Sequence, residues 1–155
     1  MDFESRELRQ DPRRPLPQRG SMTNAIQPPY SADAEQAVLG GLMLDNESID
    51  RIGDLKSGHF FVHENRVAFD HIQRLIAQQR PADVLTVMDA AKLAGDDLGL
   101  PYLNALAANT PSAANISRYA EIVKERALER GILIAAQTAR EIVSGPPTNN
   151  PMDTA

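Results

Sequence analysis

Cysteine is absent from all 155 residues, which excludes disulfides and thiolate metal ligands and suits a reducing compartment. Tryptophan is absent too and aromatics make up only 5% of the chain, so a base-stacking platform would have to be built from four Phe, three Tyr and the arginines. Lysine occurs only at Lys56, Lys92 and Lys124, preceded by Leu55, Ala91 and Val123. A phosphate loop needs glycine before its lysine, so the signature is missing and ATP hydrolysis is not expected of this chain alone. Positive charge is not in excess: the net charge is -5 and the pI about 5.2, which opposes nonspecific attraction to nucleic acid. No run reaches the roughly 18 apolar residues of a membrane-spanning helix, and the first thirty residues lack the apolar core of a signal peptide. A cytoplasmic protein with no membrane attachment is expected.

What is present is one domain's worth of apolar material, 42% of the chain, between two polar ends. Residues 1–27 and 146–155 hold six of the eleven prolines and no sustained apolar period, so they read as a disordered arm and tail. The middle reads as all-α. Ser31 follows Pro28-Pro29-Tyr30 and is placed to cap a helix from Ala32 to Leu44, with Asp33 and Glu35 favoured by the helix dipole. Gly40 and Gly41 sit inside that helix at a cost of roughly 2 kcal/mol relative to alanine, which predicts a close packing partner. Asn46 is expected to cap a short helix from Glu47 to Leu55, and Phe69, Ile72, Leu75 and Ile76 mark one face of a longer helix ending near Gln79. Asp83 caps a predicted helix to Leu93 or Ala94, although its β-branched start also allows a strand. Pro101 opens a short helix carrying Tyr102, Leu103 and Leu106. The result is a compact head of about five short helices over 28–114, followed by one long helix over 115–145.

That long helix changes character along its length. Its first half is amphipathic and rich in charge, whereas Gly131 to Ala139 contains no charged residue. A helix apolar on most sides must be covered on most sides, either as the central helix of this domain or by a partner outside it.

Catalytic and metal constellations do not assemble. His59 and His63 are four apart, but no third ligand lies at motif spacing. His63-Glu64 begins like a zinc-protease motif, yet Val67 stands where the second histidine belongs. His71 reads as a helix-surface residue, Asp96-Asp97 as turn formers and Ser112 as a turn hydroxyl. No catalytic, cofactor-binding or metal residue is assigned.

Two strings, Pro28-Pro29 through Glu47 and Asn109-Thr110-Pro111-Ser112 through Ala127, resemble the N-terminal domain of the bacterial replicative DNA helicase, the DnaB family. Phe60-Phe61, Phe69, Pro81-Ala82-Asp83, Thr86-Val87 and Tyr102-Leu103 fall in register between them. Asn65 and Ala68 depart from the family's usual histidine and isoleucine, and the turn from Gly95 to Gly99 is shorter. The resemblance implies a helical head followed by a helical hairpin, self-association into dimers and trimers of dimers, and a docking surface for the C-terminal domain of a DnaG-type primase. It admits a helicase loader as a further partner, and places DNA contact only in the full-length ring. ATP and Mg belong to the family's C-terminal ATPase domain, which has no counterpart in these residues. The hairpin's second arm would begin after Ala155. On this reading Tyr102, Leu103 and Leu106 serve head packing or head-to-head association, Tyr119, Val123, Ile132 and Ile134 serve hairpin and subunit contacts, and Gly40 and Gly41 mark the close packing point. A small nucleic-acid-binding helical domain, using Arg66, Arg74, Arg80 and the arginines from Arg118 to Arg130, is the competing expectation.

Overall fold

The computed structural model describes residues 27–145; the expected arm and tail lie almost entirely outside them. Five α-helices follow in order: α1 (Ala32–Leu44), α2 (His63–Ala77), α3 (Val84–Ala94), α4 (Leu100–Ala108) and α5 (Ile116–Ser144). Two 3₁₀ segments, Asn46–Arg51 and Ser57–His59, join α1 to α2. There is no strand among the described residues, and the β-branched start of α3 is helical.

Local chemistry sets the boundaries. The Ser31 hydroxyl accepts the Ala34 N–H at 3.2 Å, and Asp83 and Thr86 cap each other's backbone reciprocally. Gly95 closes α3 in the left-handed conformation, at φ 82°. Pro101 occupies the first turn of α4, where no intrahelical donor is lost.

Two expectations fail here. The segment after α1 is a single 3₁₀ stretch capped by Asp45, whose carboxylate accepts the Glu47 N–H at 3.1 Å. Asn46 does different work, since its amide bonds both the N–H and the C=O of Ala82 and the C=O of Leu42. That clamp ties the end of α1 to the approach to α3, and it competes with the local cap because one amide offers only a few bonds. His71, expected on the surface, is buried on α2, with Nε2 2.7 Å from Asp96 Oδ2. Ala68, Ile72 and Leu75 share its helix face and are all buried, so position outweighed polarity.

The helix covered on most sides is α1, which packs against α2, α4 and α5. Val38, Leu39 and Leu42 are fully buried, joined by Phe60, Phe69, Ile72, Val87, Leu103 and Ile116 in one core. Only the first part of α5 enters it, through Ile116, Ala120 and Val123. From Gly131 onward every residue but the half-buried Leu133 is exposed. The long helix therefore leaves the head as a projecting arm.

Candidate interaction surface

The head is fastened at three places. At the first, α1 lies so close to the end of α4 that a Cβ on Gly40 would overlap the Thr110 hydroxyl and the Leu106 carbonyl. Those two atoms are themselves hydrogen-bonded at 2.9 Å. A Cβ on Gly41 would stand 3.1 Å from Ile116 Cδ1. The costly glycines thus permit α1 to seat against both α4 and α5.

The second fastening is a buried polar network. Glu35 is 1% exposed, and its carboxylate accepts the Phe61 N–H at 2.6 Å, the Val62 N–H at 3.3 Å and the Asn65 amide at 2.7 Å. These are donors at the start of α2, where a carboxylate completes the helix end. Asn65 in turn accepts the Tyr102 hydroxyl, linking α1, α2 and α4. Burial, followed by the charges of Glu64 and Glu35, pushes the Tyr102 phenol well above its usual range, so it stays a hydrogen-bond donor. Sequence reasoning gave Glu35 only a dipole role. Its signal was the face it shares with Val38, Leu39 and Leu42, at i+3, i+4 and i+7.

The third fastening lies at the foot of the arm. Arg130 on α5 donates to the Pro29 carbonyl at 2.8 Å and the His59 carbonyl at 2.6 Å, and its guanidinium lies 5.5 Å from the Phe61 ring centroid. Phe61 stacks on Tyr30 with centroids 4.5 Å apart. Arg66 donates to the carbonyls of Phe60 and Phe61 at 2.7 and 3.0 Å. The approach to α1 and the turn before α2 are thereby held against α5 at the point where it leaves the head.

The expected contact residues divide between core and surface. Leu103, Leu106 and Val123 are buried within the head, so Val123 packs inside the domain instead of at the hairpin position expected for it. Tyr102 and Tyr119 are half-buried against the same core. Ile132 and Ile134 are 62% and 61% exposed, in a series with Leu128, Ile142 and Val143. Leu128, Ile132, Ala135, Ala139 and Ile142 follow alternating steps of four and three, the spacing that keeps one seam of a helix turned toward a neighbouring helix.

Of the arginines of the competing nucleic-acid reading, only Arg66 and Arg130 are seen to come together, and the salt-rich stretch of α5 is largely spent on its own glutamates. Arg118 pairs with Glu121 and Glu125, Arg126 with Glu129, and Arg66 and Arg130 bind backbone carbonyls at the arm's foot. No group of three His, Asp or Glu side chains is placed to hold a metal ion among the described residues, and the His59 Nδ1 accepts the Lys56 N–H at 3.0 Å.

The DnaB-like helicase N terminal domain family model matches residues 27–125. The chain belongs to this family. The replicative DNA helicase DnaB of Haemophilus influenzae is 40% identical over 110 residues, covering 68% of this chain and 24% of the relative. The chain thus spans about a quarter of the length of that curated relative. The N-terminal domain of DnaB helicase from Mycobacterium tuberculosis matches with a TM-score of 0.71 at 34% identity, over 74% of this chain and 85% of that one. A DnaB-like replicative helicase, described together with its interactions with primase, matches with a TM-score of 0.61 at 27% identity, over 76% of this chain and 29% of that one. The DnaB family match covers the head and the buried part of α5, and it stops at 125, short of the exposed arm.

Proposed function

We propose that this domain is a noncatalytic assembly and docking module of a replicative helicase. The carrying observation is the contrast within α5: its first turns complete the head's core, while Leu128, Ile132, Ile134 and Ile142 stand 61 to 76% exposed on a projecting helix. Apolar surface held out in this way marks an interaction site. The arm self-associates into dimers and higher assemblies and offers the surface on which the C-terminal domain of a DnaG-type primase docks, with a helicase loader as a further partner. Its residues act by burial and not by chemistry. The domain uses no cofactor; ATP and Mg serve the motor domain of full-length relatives, and DNA is contacted through the full ring. Its work is cytoplasmic; none of the described helices is long and apolar enough to cross a membrane.

Light scattering of the chain with and without a primase C-terminal domain tests this. A mass above that of one chain, and a stable complex on adding primase, are expected. A strict monomer that ignores primase would leave the family membership and remove the proposed role.

A further inference from the structure

The foot of the arm carries two cations with a single, enclosed carboxylate, Glu35, near them. Arg66 and Arg130 are bound to the carbonyls of Phe60, Phe61, His59 and Pro29, and among the described residues neither forms an ion pair with a carboxylate. The nearby Glu35 is enclosed behind the Phe61 backbone and engaged by its N–H. A guanidinium has five N–H donors and each of these uses two, so donors remain on both. The two charges oppose each other: burial, with a contribution from Arg66, holds the Arg130 pKa below its ordinary value even though Glu35 acts in the other direction. Of the other cations of α5, Arg118 and Arg126 are paired with glutamates and Lys124 with Asp54, while Arg140, farther out on the exposed arm, forms no ion pair among the described residues.

This pair borders a hollow of about 280 Å³ lined also by Phe61, Leu133, Ile134 and Gln137. It adjoins a second open hollow of about 690 Å³ that Arg66, Arg130 and Ile134 also line, so the two cations face an extended groove that suits a polypeptide segment. We infer that the groove between Phe61 and the arm takes an acidic, leucine-bearing segment of a partner protein, with its carboxylate on Arg66 and Arg130 and its aliphatic side chain against Leu133 and Ile134. The chain's own residues 1–26 are a poor match in charge, with five arginines against four acidic residues. Nucleic acid would satisfy the cations but not the aliphatic wall, and the chain's net charge of -5 repels it.

The inference rests on the domain being a docking module, but not on which protein docks. Its test uses three labelled probes: a helix-forming peptide of leucine and glutamate, the same peptide with lysine for glutamate, and mixed-sequence single-stranded DNA. Anisotropy should show saturable, salt-weakened binding of the glutamate peptide, with amide shifts at Phe61 and Leu133, and at least about tenfold weaker binding of the lysine peptide. Ile134→Glu places a carboxylate in the groove from an exposed position, and should weaken the glutamate peptide about tenfold with helix content unchanged. Equal binding of both peptides, no binding of either, indifference to Ile134→Glu, or displacement of the peptide by DNA would each overturn the inference. Primase docking that survives Ile134→Glu alongside a failed peptide result would sink this inference alone. Peptide selectivity without primase binding would sink only the primase reading.

Discussion

Along α5, Ile116, Ala120 and Val123 are at most 1% exposed, whereas Leu128, Ile132, Ile134 and Ile142 farther along the same helix are 61 to 76% exposed. Both sets are aliphatic and both follow helical spacing. What separates them is that α1 lies under the first, whereas the head only borders the near end of the second across open hollows. Periodicity therefore reports which residues turn the same way, while burial depends on whether another element occupies that side. The glycines divide alike: Gly40 is hemmed in by α4, and Gly131 has no atom within 4 Å of where its Cβ would stand.

Breaking the head side of this contrast should have the largest effect. Gly40→Leu forces a side chain into the Thr110 hydroxyl and the Leu106 carbonyl, and should cost about 3 kcal/mol or more in urea unfolding. A cost near that of an ordinary surface change would mean that α1 and α4 are not seated this closely. Glu35→Ala leaves the Phe61 and Val62 N–H groups and the Asn65 amide without their acceptor, and should cost about 3 kcal/mol; retention of full stability would show that water replaces the carboxylate freely. On the arm the sign reverses. Gly131→Ala meets no neighbour and removes a mid-helix glycine, so it should stabilise by about 0.5–1 kcal/mol.

Two further measurements sharpen the contrast. Ile132→Ser with Ile134→Ser should leave the unfolding midpoint of the head nearly unchanged, within about 0.5 kcal/mol, while lowering the self-associated mass. Equal loss of stability and association would place these residues in the head's own core. The smallest effect concerns His59, whose pKa is held below 6.5 first by burial, then by Lys124, Lys56 and Arg130, against the opposing charge of Asp54. Because the folded state disfavours the proton, stability from this group is fully present above 6.5 and declines as the pH falls below it toward the folded value. An NMR titration of His59 should give a midpoint below 6.5, and His59→Gln should remove this part of the acid sensitivity.

Helix positions were readable where local chemistry decides them. The span of α1 matched residue for residue, and the Asp83 cap placed the start of α3 because Thr86 answers it three residues later. The family, too, was carried by two long strings that bracket the head. The connection from α1 to α2 was not readable, because Asn46 is drawn to Ala82, 36 positions away, and no local rule anticipates that partner. His71 and Glu35 misled for a related reason: each is a polar residue on an apolar face, and its helix face was a better guide than its chemical type. The foot of the arm was hidden most completely. Arg130 looks like one more charge on a salt-rich helix, and only its reach to Pro29 and His59 distinguishes it from Arg126.

The bond from Arg130 to Pro29 closes a span of 101 positions, and that separation has a kinetic consequence. The Pro29 carbonyl lacks its Arg130 donor until α5 has been laid across the head and Arg130 has been brought to the turn at His59. A contact of such long range comes late in folding, since its closure entropy is offset only after nearer contacts have formed. Of the ties that hold the stretch from Pro28 to Tyr30, the one to Arg130 is therefore expected to close after the stacking of Tyr30 on Phe61, which spans far fewer positions.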